Sequence, residues 1–273
     1  MKKALFIFLS LAVIAVSCKK KKQSNDDGQQ QTYECLPKTL AFTDHVDSSN
    51  NESTTYTYEE NRIKSKRRTF ADGTEYTYNY YYSDKSKGLL DRIDIVINGQ
   101  VLAKVQYSTQ NDKITERDLL VLASDNTTWL QAWEVMYSYN GNKVSQVQIV
   151  DHDLWNQGAN PTDETYVYTY TGDNVTDIKI YDTSDMNTLK EEITYQYDQG
   201  KRAFDNVITQ TYPQTRVNNI IHSEDNVYGN NPSTEIRDIE ITYNNKNFPT
   251  KYDTKDDRNN LLDTETVAYD NCQ

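Results

Sequence analysis

The sequence is poor in most of what usually announces chemistry. Its 273 residues include three histidines, three cysteines, nine glycines and five prolines. So few glycines and prolines exclude collagen-like chains and Pro/Gly-rich disorder. There is no G-x-G-x-x-G, no G-x-x-x-x-G-K-[ST], no H-E-x-x-H and no G-x-S-x-G, so dinucleotide cradles, P-loops, zincin helices and nucleophile elbows have no support. His45, His152 and His222 stand far apart in polar stretches, and no catalytic, metal or cofactor-binding residue is assigned. Asp151-His152-Asp153 lacks the alternate acids and terminal glutamate of a calcium loop and reads as a solvated loop. Acidic neighbours such as Asp256-Asp257 and Glu191-Glu192 are too common here to mark a glycosidase pair.

Positive charge is scarce too. Lys and Arg number 29 against 41 Asp and Glu, for a net charge of −12, and loss of a leader holding Lys2 and Lys3 would take it to −14. Such a chain repels phosphate backbones, so nucleic acid is excluded as a partner. The one basic cluster in the body, Arg62, Lys64, Lys66, Arg67 and Arg68, reads as a solvated strand face.

Only one long apolar run exists, Ala4 to Val16, preceded by two lysines. It is short for a membrane span and fits a signal-peptide core. The ending Ala15-Val16-Ser17-Cys18 resembles the lipobox of bacterial lipoproteins, which implies lipidation of Cys18. Residues 1–17 are then a lipoprotein signal peptide, 18–31 a lipidated cysteine with a polar tether, and 32–273 one domain. The expected location is the cell envelope, anchored to the outer membrane by lipid alone.

What the chain has in quantity is tyrosine, 22 residues, and a repeat. "MYSYNGNKVSQVQIVD" from Met136 returns 31 residues later as "VYTYTGDNVTDIKIYD". Aligned on the tyrosine before the turn, related segments occur at Tyr58, Tyr139, Tyr170 and Tyr197, with looser copies at Tyr82, Tyr107 and Tyr243. Each has an alternating Y-x-Y half, a short turn such as Asn140-Gly141, and a returning half with spaced aliphatics, which is a hairpin signature. Alternation puts Tyr76, Tyr78, Tyr80 and Tyr82 on one face, and likewise Trp133, Val135, Tyr137 and Tyr139, with polar residues on the other.

Seven hairpins, a first strand near "LPKTLAF" and a last near "DTETVAY" predict an all-β antiparallel meander of about sixteen strands. It should close or flatten into a barrel, with a two-layer sandwich or an open curled sheet as alternatives. The polar outer face excludes a lipid-spanning barrel. So wide a lumen calls for a plug or a ligand, and Val217, Ile220 and Ile221 are plug candidates. With Cys18 assigned to lipid, Cys35 and Cys272 form the expected disulfide, placed where a repeat's turn would join the last strand to the first.

The recurring Y-x-Y-x-x-G-x-x-V resembles the YD-type repeats of Rhs-like proteins. It is more similar to a family of Bacteroidota lipoproteins built from degenerate YD-like hairpins. That resemblance implies a porin-like barrel fold and brings no catalytic residues.

The expected function is a non-enzymatic envelope scaffold whose longer loops, "DHDLWNQGANPTD" from Asp151 and the segment from Pro213 to Thr234, bind a glycan or an envelope protein. Trp129, Trp155 and Tyr228 are the candidate contact residues. The alternatives are a carrier holding an apolar ligand inside the barrel and a hydrolase without recognisable motifs.

Overall fold

In a computed structural model of the chain, residues 34–152, 163–229 and 231–272 are described. They form sixteen strands: β1 (Leu36–Asp44), β2 (Glu52–Glu59), β3 (Arg62–Phe70), β4 (Glu75–Asp84), β5 (Leu89–Ile97), β6 (Gln100–Gln110), β7 (Lys113–Leu122), β8 (Trp129–Asn140), β9 (Lys143–Asp151), β10 (Glu164–Thr171), β11 (Asn174–Asp182), β12 (Asp185–Tyr197), β13 (Ile220–Val227), β14 (Ser233–Tyr243), β15 (Pro249–Asp256) and β16 (Leu261–Asp270). Each pairs antiparallel with the next, and β16 returns to β1, so the meander is a closed barrel and not a sandwich or an open sheet. Every strand finds both neighbours within residues 36–270, so the ladder has no open edge and the barrel is complete without the residues before Glu34. A disulfide between Cys35 and Cys272 covers the seam, as their positions predict.

The repeat has a physical reason that alternation alone does not supply. Tyr137 faces Val147 and Tyr139 faces Val144, so Ser145 is an extra residue on the returning strand. The same one-residue shift recurs at Lys64, Asp91, Thr115, Thr176, Ile221 and Thr250. The β16–β1 seam carries it as well, at Lys38, and therefore behaves as the eighth hairpin with a disulfide for a turn. Each shift is a bulge, which leaves a carbonyl unpaired in the ladder. The last inward tyrosine of the next hairpin satisfies it: Tyr82 Oη donates to Ile63 O at 2.6 Å, Tyr139 to Ile114 O at 2.6 Å, Tyr197 to Val175 O at 2.5 Å and Tyr269 to Pro249 O at 2.7 Å. Tyr58 closes the series by donating to Pro37 O. The conserved-looking rhythm of the copies is thus a bulge and its latch. The turn itself sits one residue later than expected, since Asn140 ends β8 opposite Lys143 and Gly141, at φ +60°, begins the two-residue link.

The turns after Tyr58, Tyr139 and Tyr170 lie at one end of the barrel, while two-residue links also occur at the other, between β5 and β6 and between β11 and β12. The copy at Tyr197 departs from the predicted hairpin: β12 does not turn back at once, and residues 198–219 instead cross the Tyr58 end as a plug before β13 begins. Phe204 and Val207 are buried against Leu36, Leu40, Ile63 and Val267, and the Phe204 ring meets Tyr56 edge-on at 5.2 Å. Ile208 N donates to Asn61 O, Gln210 N to Gly88 O, and Val175 N to Thr215 O, so the segment is tied to turns on three sides. Thr209 Oγ1 accepts from Ile63 N at 2.8 Å. Gly88 is required at its place, because at φ +68° a Cβ would stand 1.8 Å from Ile208 O. The plug is therefore built around Phe204 and Val207. Of the candidates named from sequence, Val217 lies in this segment but is exposed, whereas Ile220 and Ile221 belong to β13.

Candidate ligand-binding lumen

The register divides the inward residues into levels. Tyr56, Tyr80, Tyr107, Tyr137, Tyr168 and Tyr195 occupy one level just past the plug, facing Lys66, Ile93, Arg117, Val147, Ile178 and Ser223 across their hairpins. All six tyrosines are half-buried, and Tyr56 and Tyr80 pack against the plug cluster of Phe204 and Val207. Among the described residues, each strand packs chiefly along its two ladder neighbours.

At the other end, among the described residues, the connections bond to their own strands or to adjacent ones, as His45 N does to Leu262 O and Tyr228 N to Lys190 O. Val46, Leu130, Met186, Val227, Tyr228 and Leu261 are exposed there, ringing the mouth with apolar side chains. Trp129 opens β8 at this rim with Lys104 Nζ 4.1 Å from its ring centroid. Tyr228 follows β13 and donates to Glu192 Oε2 at 3.0 Å. The two candidates share an end but not a site, because β8 and β13 lie five strands apart. Trp155 and Cys18 fall outside the described residues. The segment Pro213 to Thr234 is not one loop: it holds the end of the plug, β13, and a short link to β14.

Two walls line the lumen. Glu52, Glu164, Glu191, Asp225, Asp263 and Glu265 face inward on β2, β10, β12, β13 and β16. Burial and the neighbouring Asp225 push the Glu191 carboxyl up to about 7. Burial, with Asp263 and Glu52 nearby, does the same to Glu265, up to about 7. Like charges in a confined space cannot all ionise. Glu191 and Glu192, adjacent in sequence, are separated by alternation, Glu192 pairing outside with Lys179 at 3.3 Å.

The facing wall, β3 to β9, is aromatic and aliphatic, with Tyr78, Ile93, Ile95, Ala103 and Leu119 in one buried cluster. Apart from Asp151 at the rim end of β9, its inward charges are cationic. The basic run on β3 is not the solvated face that composition implies: Arg62, Lys66 and Arg68 are buried, and only Arg67 and Lys64 point outward. Arg68 Nε donates to Glu52 at 2.6 Å, and Arg62 pairs with Glu60 at 2.6 Å. Lys66 lies with Nζ 4.4 Å from the Tyr78 ring centroid. Burial, and then Arg68, lower the Lys66 ammonium to about 8.

Outside the barrel, Glu116, Asp118 and Glu134 bring one carboxylate oxygen each within 4.8 Å on the outer face of β7 and β8. Sequence reasoning missed this group because two strands contribute it. Asp118 already accepts from Gln131 at 2.9 Å, and the three are read as a surface acidic cluster. The histidines sit apart: His45 Nε2 lies 3.1 Å from Thr264 Oγ1, His222 Nδ1 2.7 Å from Asp238, and His152 4.0 Å from Glu134.

No family model matches the sequence, and no curated protein matches it. Solved structures do superpose. A porin-like protein from Bacteroides vulgatus ATCC 8482 aligns with TM-score 0.56 at 11% identity, covering 87% of this chain and 99% of that one. A porin-like protein from Bacteroides uniformis ATCC 8492 aligns with TM-score 0.52 at 13% identity, covering 88% and 100%. The fold is that of a porin-like barrel. At such identity the likeness is one of fold, and the levels, latches and plug described above belong to this porin-like barrel in its own right.

Proposed function

We propose that the protein is a non-enzymatic, lipid-anchored envelope protein that works as a binding cup: a ligand passes the open mouth and lodges in the lumen. The observation that carries this reading is the asymmetry of the ends, one sealed by residues 198–219 and the Cys35–Cys272 seam, the other rimmed by exposed apolar side chains. A through-pore fits poorly. Outward positions such as Thr55, Arg67, Asn79, Asp94, Gln106 and Glu240 give the outside no apolar band for lipid. The described chain begins at Glu34, at the plugged end, so a tether from Cys18 attaches there and leaves the mouth facing away. The rim around Trp129 and Tyr228 offers a second surface, for a glycan or an envelope protein, in keeping with the exposure of Tyr228.

The test is a fluorescence titration with 1-aminoanthracene, a neutral apolar probe, against the chain from Lys19 onward. Saturable binding is expected, and it should be lost in Ala103→Trp, which projects an indole into the lumen from an inward position on β6. Binding that survives this substitution in a folded variant would place the probe elsewhere and remove the cup.

A further inference from the structure

We infer that the β3 to β9 wall receives the acid group of an organic anion with an apolar body, and that Lys66 and Arg117 anchor it. This rests on the cup reading and names the chemical class of its ligand. Lys66 and Arg117 are 9% and 8% exposed. They occupy equivalent places, each the inward residue opposite a tyrosine of the level above the plug, Tyr56 and Tyr107. Neither has a carboxylate within ion-pair distance among the described residues.

Arg68 differs, since Glu52 neutralises it. Lys66 has a ring and no acceptor: its ammonium lies over Tyr78. The Arg117 guanidinium stands 4.0 Å from the ring centroid of Tyr212 in the plug, with Trp133 and Tyr137 at 5.5 and 5.7 Å.

Burying an uncompensated ion is among the costliest things a fold can do, and buried charges are normally paired. Here carboxylates are abundant, yet apart from Asp151 at the rim of β9 they line the other wall. The chain is net acidic, so the lack of counter-ions beside these two cations is not for want of acids. A ligand that carries its own negative charge supplies what the wall lacks. Above the two cations, inward residues run apolar toward the mouth through Ile95, Val105, Leu119 and Val135 to Trp133. That track fits an apolar body, and the exposed Leu130 at the rim continues it. The ligand therefore lies acid end down, against Lys66 and Arg117, with its apolar part toward the opening.

The experiment is displacement of 1-aminoanthracene from the chain beginning at Lys19 by laurate and by dodecyltrimethylammonium, an equal chain of opposite charge, both below their micellar concentrations. Laurate is expected to displace the probe and the cation to do so far more weakly. Lys66→Met should weaken laurate about tenfold while leaving the neutral probe bound, and Lys66→Arg should retain laurate. Circular dichroism melts establish that each variant is folded; if the Met variant were not, the comparison of the two amphiphiles on the unmodified chain still decides. Equal displacement by both amphiphiles, or laurate affinity unchanged in Lys66→Met, overturns the anion site and leaves the cup standing. Failure of 1-aminoanthracene itself to bind overturns both.

Discussion

Replacing Lys66 by methionine should make the protein more stable, against the usual direction of a substitution at a buried position. The side chain is 9% exposed and has no anionic partner, and burial lowers its ammonium from 10.5 to about 8. At roughly 1.4 kcal/mol per pKa unit this depression corresponds to a penalty of about 3 kcal/mol while the group is charged. Methionine removes the penalty and fills similar space. The contact with the Tyr78 ring is lost, which costs about 1 kcal/mol. The net expectation at neutral pH is a gain of about 2 kcal/mol.

The pH dependence carries the sharper test. Lys66 titrates below its unfolded value, so between about pH 8 and pH 10.5 the unfolded chain binds more protons than the folded one. Stability from this group then rises with pH over that window, and its penalty is fully present below it. The groups around the ammonium are Arg68, Glu52, Tyr56 and Tyr78. All of them remain in the variant, so their titration cancels in the difference. Urea unfolding of both proteins at pH 7 and at about pH 10, disulfide intact, should show a gap of about 2 kcal/mol that closes or reverses at the higher pH. A methionine variant less stable at pH 7, or a gap that does not narrow, would refute the reasoning.

Three further outcomes follow from the fold. Serine at both Cys35 and Cys272, whose bridge closes a separation of 237 residues, should cost about 5 kcal/mol on the chain-entropy model; an unchanged urea midpoint would mean that the β16–β1 ladder needs no seam. Tyr139→Phe deletes the latch to Ile114 O and should cost about 1 kcal/mol. Tyr168→Phe, whose ring faces the lumen and has no such latch, should be near neutral, and equal losses in the two would argue against the latch. Gly88→Ala forces a Cβ onto Ile208 O and should loosen the plug, seen as faster tryptic cleavage at Lys201, Arg202 or Arg216 with the barrel's circular dichroism retained; unchanged cleavage would show the segment held elsewhere.

The strand number, the barrel, the inward tyrosines and the seam were all legible, because each rests on local rules. A Y-x-Y half sets a face, a two-residue link sets a hairpin, and two half-repeats at the ends imply closure. The plug was not legible at Tyr197, since "QYDQGKRAFDNVI" carries the same tyrosine, glycine and aliphatics as a hairpin. What diverts it is tertiary: Phe204 and Val207 find a deeper burial against β1, β3 and β16 than a returning strand could offer. The contact residues named from sequence rested on loop length; the described connections at the mouth are short, and the proposed cup would place its ligand inside.

The inward cations were missed for a reason that the sequence itself contains. Strict alternation counted from Ile63 sends Lys66 and Arg68 outward, so a basic run looks like a wet face. Other copies contradict strict alternation, however: Val144 and Val147, Val175 and Ile178, and, in the looser copy at Tyr82, Leu90 and Ile93 are spaced by three, which is the mark of one extra residue between two inward positions. Carrying that spacing to the copy at Tyr58 pairs Ile63 with Lys66, and to the copy at Tyr107 pairs Ile114 with Arg117. The two cations thus replace the aliphatic that other copies place at the same point of the repeat. A hairpin that only needs to fold has Val147 or Ile178 there. The fold's own rule makes a charge at that position expensive, and the anion proposed above would supply a reason for the expense.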